Sequence, residues 1–73
     1  MNLEQVKKLF DKYYDISNVI KTANELSFTI SANGEYVADV TITGHEIQVA
    51  DSGTGGVQYF ELNSITERDI RNI

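Results

Sequence analysis

Apolar residues recur at helical spacing at the start of this chain and at every second position through its middle. Leu3, Val6, Phe10 and Tyr13, with Leu9 and Tyr14 beside them, fall on one side of a 3.6-residue repeat. Asn2 is placed to cap that repeat and Glu4 lies near the positive end of its dipole, so the pattern predicts a helix over 2–15. From Leu26 the period drops to two. Leu26, Phe28 and Ile30 alternate with Ser27, Thr29 and Ser31. Tyr36, Ala38, Val40 and Ile42 alternate with Val37, Asp39, Thr41 and Thr43, and Ile47 and Val49 alternate with Glu46, Gln48 and Ala50. A fourth strand spans 57–62. Ser64 with Glu67 three residues on has the form of a capping box, which predicts a last helix carrying Ile65, Ile70 and Ile73 on its apolar side. Between the first helix and the first strand, Ser17 is placed to cap a further helical turn bearing Val19, Ile20 and Ala23, and a short turn is expected within 16–24.

The turns set the register. A two-residue loop at Asn33 and Gly34 would place Phe28 opposite Asp39, on the wrong face, because a slip of one residue exchanges the faces of a strand. A three-residue loop from Ala32 to Gly34, with Gly34 left-handed, instead pairs Ile30 with Tyr36, Phe28 with Ala38 and Leu26 with Val40. At the next turn, Gly44 and His45 pair Ile42 with Ile47 and Val40 with Val49. On the fourth strand, Phe60 and Leu62 face inward, since the opposite choice would bury Glu61 without a cation. The whole predicts one α+β domain over 1–73, a small two-layer sandwich of order α-β-β-β-β-α. Its four-stranded antiparallel meander has both helices packed on one face and the other face open to water.

Charge sharpens this picture. The net charge is −5, and all six Lys and Arg lie near the ends, at Lys7, Lys8, Lys12, Lys21, Arg68 and Arg71. From Thr22 to Glu67 there is no cation, while Glu25, Glu35, Asp39, Glu46, Asp51, Glu61 and Glu67 fall in that stretch. Direct binding to nucleic acid needs clustered cations and is therefore not expected. Docking onto a basic protein is. With no cysteine and one histidine, neither a disulfide framework nor a thiolate metal cluster is available, and no cofactor is expected. No apolar run reaches membrane-spanning length, and the first residues lack the pattern of a signal peptide, so an intracellular, cytoplasmic chain is expected.

One stretch, VADSGTGGV from Val49 to Val57, invites a catalytic reading. Asp51, Ser52, Gly53 and Thr54 have the form of the aspartic protease element, but those enzymes need two such aspartates and a later apolar-apolar-Gly element, which does not follow here. A phosphate loop would open a helix and carry a lysine, whereas these glycines lead into Val-Gln-Tyr-Phe. Calcium would need more carboxylates than Asp51. The stretch is expected to be a hairpin turn. His45 has no nucleophile near it in sequence, Tyr13 and Tyr14 fit a helix edge, and no enzyme is expected.

What remains is the outward face. It carries Glu35, Asp39, Glu46 and Glu61 around Val37, Val57 and Tyr59, an aromatic and apolar centre with an acidic rim. Glu35, Asp39, Glu46, Tyr59 and Glu61 are the expected partner-binding residues. In size, charge and single-domain economy the chain resembles the small inhibitors that phages direct against host nucleases, anti-CRISPR proteins among them, a likeness of style without a shared motif. It implies a stoichiometric inhibitor that mimics nucleic acid and occupies a basic groove on a nuclease or its nucleic-acid complex. The alternative is an assembly module that forms a homodimer through an edge strand, the strand beginning at Leu26 having no Lys or Pro to block it. Asp39→Lys with Glu46→Lys is expected to keep the fold and abolish partner binding.

Overall fold

Asn2 starts the first helix as its position suggests. Its side chain accepts the Gln5 N–H at 2.9 Å, and the Gln5 side chain accepts the Asn2 N–H at 2.9 Å. Two of the amides that every helix start leaves free are thus satisfied reciprocally. In the computed structural model, which describes residues 2–73, α1 runs over Leu3–Tyr13 and ends where Tyr14 turns extended. The chain continues through β1 (Asp15–Lys21), β2 (Leu26–Ala32), β3 (Glu35–Ile42), β4 (Glu46–Asp51), β5 (Gly56–Glu61) and α2 (Glu67–Arg71). The strands form one antiparallel sheet in the order β1-β2-β3-β4-β5.

The sheet has five strands, not the expected four. The extra one is β1, where a helical turn was expected within 16–24. It pairs Ile16 with Ile30 and Ser17 with Thr29, then skips, because two residues of β1 face only Phe28 before Ile20 pairs with Ser27. Asn18, at φ 53, makes this bulge. The bulge also explains the misleading pattern: Ile16 packs on the core, whereas Val19 and Ile20 are exposed despite their helix-like spacing from it.

The first tight turn differs too. Asn33 (φ 55) and Gly34 (φ 80) are both left-handed, the mark of a two-residue type I′ turn, and Ala32 pairs with Glu35 and Ser31 with Tyr36. Left alone, that register would bring Phe28 onto Asp39. A bulge at Val37 restores the faces, so that Ile30 meets Ala38, Phe28 meets Val40 and Leu26 meets Ile42. The expected pairs Ile30–Tyr36, Phe28–Ala38 and Leu26–Val40 are each displaced by two residues, one full side-chain period, and the inward set survives. Three residues change sides: Tyr36 joins the outer face beside Ser31, Val37 packs against the core, and Glu35, expected on the outer face, falls opposite Ala32 on the helix side. The β3–β4 register is the expected one, with Ile42 on Ile47 and Val40 on Val49, and β5 sets Phe60 inward, opposite Ile47.

Inward side chains of the sheet meet Val6 and Phe10 of α1 and Ile70 of α2 in one buried cluster. Phe10 packs edge-on against Phe28, with ring centroids 5.5 Å apart and planes at 68°. Among the described residues no polar side chain is buried. The cap of α2 is Thr66, not Ser64. Thr66 Oγ1 accepts the Asp69 N–H at 3.3 Å and Asp69 Oδ2 accepts the Thr66 N–H at 2.9 Å. The Ser64 and Ile65 amides are already committed to the Glu61 carbonyl, each at 3.1 Å. Buried Ile65 and Ile70 then flank the cap as a hydrophobic staple. The two helices are joined by Lys12 Nζ to Glu67 Oε1 at 2.9 Å and by the Tyr14 hydroxyl donating to the Ile70 carbonyl at 2.8 Å.

Two expectations follow. Truncating fully buried Phe10 to alanine costs about 3–5 kcal/mol, as much as a core of this size supplies, so far-UV circular dichroism should report a largely unfolded chain at 25 °C. Acid should also weaken the fold. Lys21 holds the Glu4 carboxyl below its ordinary range through a hydrogen bond and charge, and Lys12, with help from Tyr13, does the same to Glu67. A carboxylate with a depressed folded pKa stabilises above its unfolded pKa and loses that contribution as pH falls through the folded value. The urea midpoint should therefore drop below about pH 4, and less so in a Lys12→Met, Lys21→Met variant.

Candidate functional site

The side of the sheet opposite the core is built by the polar half of each period-two pattern. Ser17 lies over Thr29, Thr29 over Asp39, Asp39 over Ala50 and Ala50 over Val57, so a single row crosses all the strands. A second row passes through Thr41, Gln48 and Tyr59. Among the described residues no lysine or arginine stands on this surface. Lys7, Lys8 and Lys12 belong to α1, Arg68 and Arg71 to α2, and Lys21 turns to the helix side, where its Nζ lies 2.8 Å from Glu4 Oε1. The meander thus keeps the lysines and arginines off this surface, while the helices carry both signs of charge.

The expected site residues fall into three groups. Glu46 and Glu61 are directly opposed across β4 and β5, both exposed, with neither in an ion pair among the described residues. Tyr59, 61% exposed, lies on the same face two residues along β5 from Glu61. An open cleft of about 570 Å³ joins all three to His45, Phe60 and Asn63. Asp39 is different, since both carboxylate oxygens are engaged: Oδ1 accepts the Thr29 hydroxyl at 2.8 Å and Oδ2 accepts the Tyr36 hydroxyl at 3.0 Å. Glu35 leaves the face altogether: it sits beside the Asn33–Gly34 turn opposite Ala32, on the helix side of the sheet and at the other end of the strands from Glu46. Glu46, Tyr59 and Glu61 therefore form one cluster, and Asp39 and Glu35 stand apart from it.

Asp39 belongs to a network with Tyr36 at its centre. The Tyr36 oxygen accepts the Ser52 N–H at 3.1 Å and lies 3.0 Å from Ser52 Oγ and 3.2 Å from the Ala50 carbonyl. This pins the start of the β4–β5 connection, the VADSGTGGV stretch. Within it Asp51 Oδ1 accepts the Gly53 and Thr54 amides at 2.8 and 3.3 Å, the Asp51 carbonyl accepts the Gly55 N–H at 2.7 Å, and Gly55 is left-handed at φ 78. The Asp51 carboxylate shapes its own turn. Sequence reasoning missed Tyr36 because a strict period of two buries it. Only the bulge brings its hydroxyl outward, and nothing in the alternation signals that bulge. For the same reason Asp39→Lys would break two hydrogen bonds as well as reverse a charge, so substitutions at Glu46 and Glu61 report charge more cleanly.

Among the described residues no group of three His, Cys, Asp or Glu side chains is placed to hold a metal ion, and no helix is long and apolar enough to cross a membrane. Compared with known proteins, the chain matches no family model, no curated protein and no solved structure.

The Tyr36 network generates its own expectation. Tyr36→Phe removes the acceptor of the Ser52 amide while leaving the ring in place. Hydrogen exchange at Ser52 should accelerate, and global stability should fall by no more than about 1.5 kcal/mol, the usual worth of such bonds. Unchanged Ser52 protection would mean that the loop is held by its internal turn alone.

Proposed function

We propose that the protein docks its uncovered, acidic sheet face onto a basic protein and inhibits it stoichiometrically, presenting carboxylates where a nuclease or similar enzyme would bind phosphates. On this reading the molecule is a two-layer sandwich whose helices cover one side and leave the other as the working surface. The partner's cations would come from a nucleic-acid groove, as for phage-type, anti-CRISPR-like inhibitors acting in the cytoplasm.

The observation that carries this reading is the Glu46–Glu61 pair. Directly opposed residues on one face stand about 5 Å apart at Cβ, and like charges there are destabilising. No Lys or Arg of the chain relieves them. A guanidinium from a partner would accept a place between two carboxylates and bond both in the geometry arginine favours. Tyr59 beside them supplies an exposed ring of the kind that anchors interfaces.

Stability and binding should then move in opposite directions. Glu46→Lys converts a like-charge pair into an opposite-charge one and should stabilise the chain by about 0.2–1 kcal/mol in urea denaturation. The same variant should weaken capture of a basic nucleic-acid enzyme from host lysate by about tenfold or more at low salt, and high salt should release what the wild type captures. If Glu46→Lys with Glu61→Lys stays folded and captures the same proteins as wild type, the acidic face is not the binding surface.

A further inference from the structure

The two free edges of the sheet are unequal. At β1 the Asn18 bulge interrupts the ladder, and Asp15 and Lys21 place a charge at either end of the strand. Bulges and charges, lysine above all, are how natural sheets discourage edge pairing. At β5 the register to β4 runs without a break from Gly56 to Glu61, and Glu61 is its one charged residue. The strand that begins at Leu26, expected from sequence to be the open edge, is β2, and β1 covers it.

The atoms that β5 offers are defined by its pairing with β4. The Leu62 N–H donates to the His45 carbonyl at 3.0 Å, and hydrogen-bonded pairs alternate along an antiparallel ladder. Phe60, Gln58 and Gly56 therefore turn their backbone groups toward β4. Val57, Tyr59 and Glu61 turn theirs away from the sheet. Val57 and Tyr59 are also exposed apolar side chains, at 46% and 61%, both on the outer face.

From these features we infer that β5 is a self-association edge, where two copies of the chain pair antiparallel about a two-fold axis at Gln58. In that register Val57 of each copy exchanges both backbone hydrogen bonds with Tyr59 of the other, and the two exposed apolar side chains become cross-strand neighbours twice over. Gly56 faces Phe60 of the second copy. Each Glu61 falls beyond the paired segment, toward the glycine turn at Gly55 of the other copy. A parallel arrangement would set Glu61 beside Glu61. A slip that centres the pairing on Tyr59 would set each Glu61 against Val57, and one that centres it on Val57 would leave each Tyr59 opposite Gly55, outside the strand. The antiparallel register centred on Gln58 avoids all three, and the isologous contact closes at two copies. The acidic face stays open on both copies, so the inference is independent of the docking proposed above. Salt separates the two: it weakens docking of a basic partner but favours pairing of chains that each carry a net charge of −5.

Sedimentation equilibrium of the purified full chain across protein concentration, at low and at high salt, tests this directly. A dimer should grow with concentration and with salt. Val57→Lys, a substitution at an exposed position, should raise its dissociation constant by about tenfold or more. The chain has no cysteine, so Gln58→Cys should oxidise to a disulfide-linked dimer far faster than Val19→Cys on the exposed part of β1. A chain that stays monomeric at millimolar concentration in high salt overturns the inference. So does a dimer indifferent to a folded Val57→Lys variant, or equal cross-linking through Val19→Cys.

Discussion

One extra residue in β3, Val37, settles which side of the sheet each neighbouring side chain occupies. The turn at Asn33 and Gly34 is the two-residue kind that suits the twist of paired strands, yet its register alone would set Phe28 against Asp39. That register would bury the carboxylate beside Phe28 and Ile30 without a cation and turn Val40 and Ile42 out to water, which would cost more than a chain of this size has to spare. The bulge removes the conflict by advancing β3 one position, after which both strands present apolar residues to the helices. Tyr36 comes to the surface as a by-product, and with it the hydrogen bonds that order Asp39 and the β4–β5 connection. Core, outer face and loop all trace to the same local irregularity.

Much of this was legible in the sequence because side-chain alternation is a strong signal where one face is buried. Both helices, the four strands from Leu26 onward, the register at Ile42–Ile47, the inward placement of Phe60 and the outward placement of Glu46, Tyr59 and Glu61 follow from it. What was hidden lies at bulges. β1 was missed because its bulge spaces Ile16, Val19 and Ile20 like a helix turn, and because its outer residues meet water and carry no period of two. The α2 cap shifted from Ser64 to Thr66 because two capping patterns overlap there, Ser64 with Glu67 and Thr66 with Asp69. The choice rests on the Glu61 carbonyl holding the Ser64 amide, a contact between the end of a strand and the turn after it.

The distribution of charge is a property of the fold as much as of the composition. Cations confined to the ends of the sequence become cations confined to the helices and the edge of β1, because the ends of the chain form that layer. Two of them are matched within it, Lys12 to Glu67 and Lys21 to Glu4, both through exposed side chains. Such pairs contribute little to stability on their own. Both lie on the helix side of the sheet, and on the other side Glu46 and Glu61 are left to face each other.

The order of the strands has a kinetic side as well. Every pairing in the sheet joins strands that are neighbours along the chain, so hairpins can zip in succession with little loop entropy to overcome. The exceptions are the helix–helix contacts, Tyr14 to Ile70 and Lys12 to Glu67, whose partners are separated by 56 and 55 positions. With no proline in the sequence, no isomerisation step delays them. The meeting of the two ends of the chain over the sheet therefore closes the longest loop in the molecule, and it is there that loop-closure entropy weighs most.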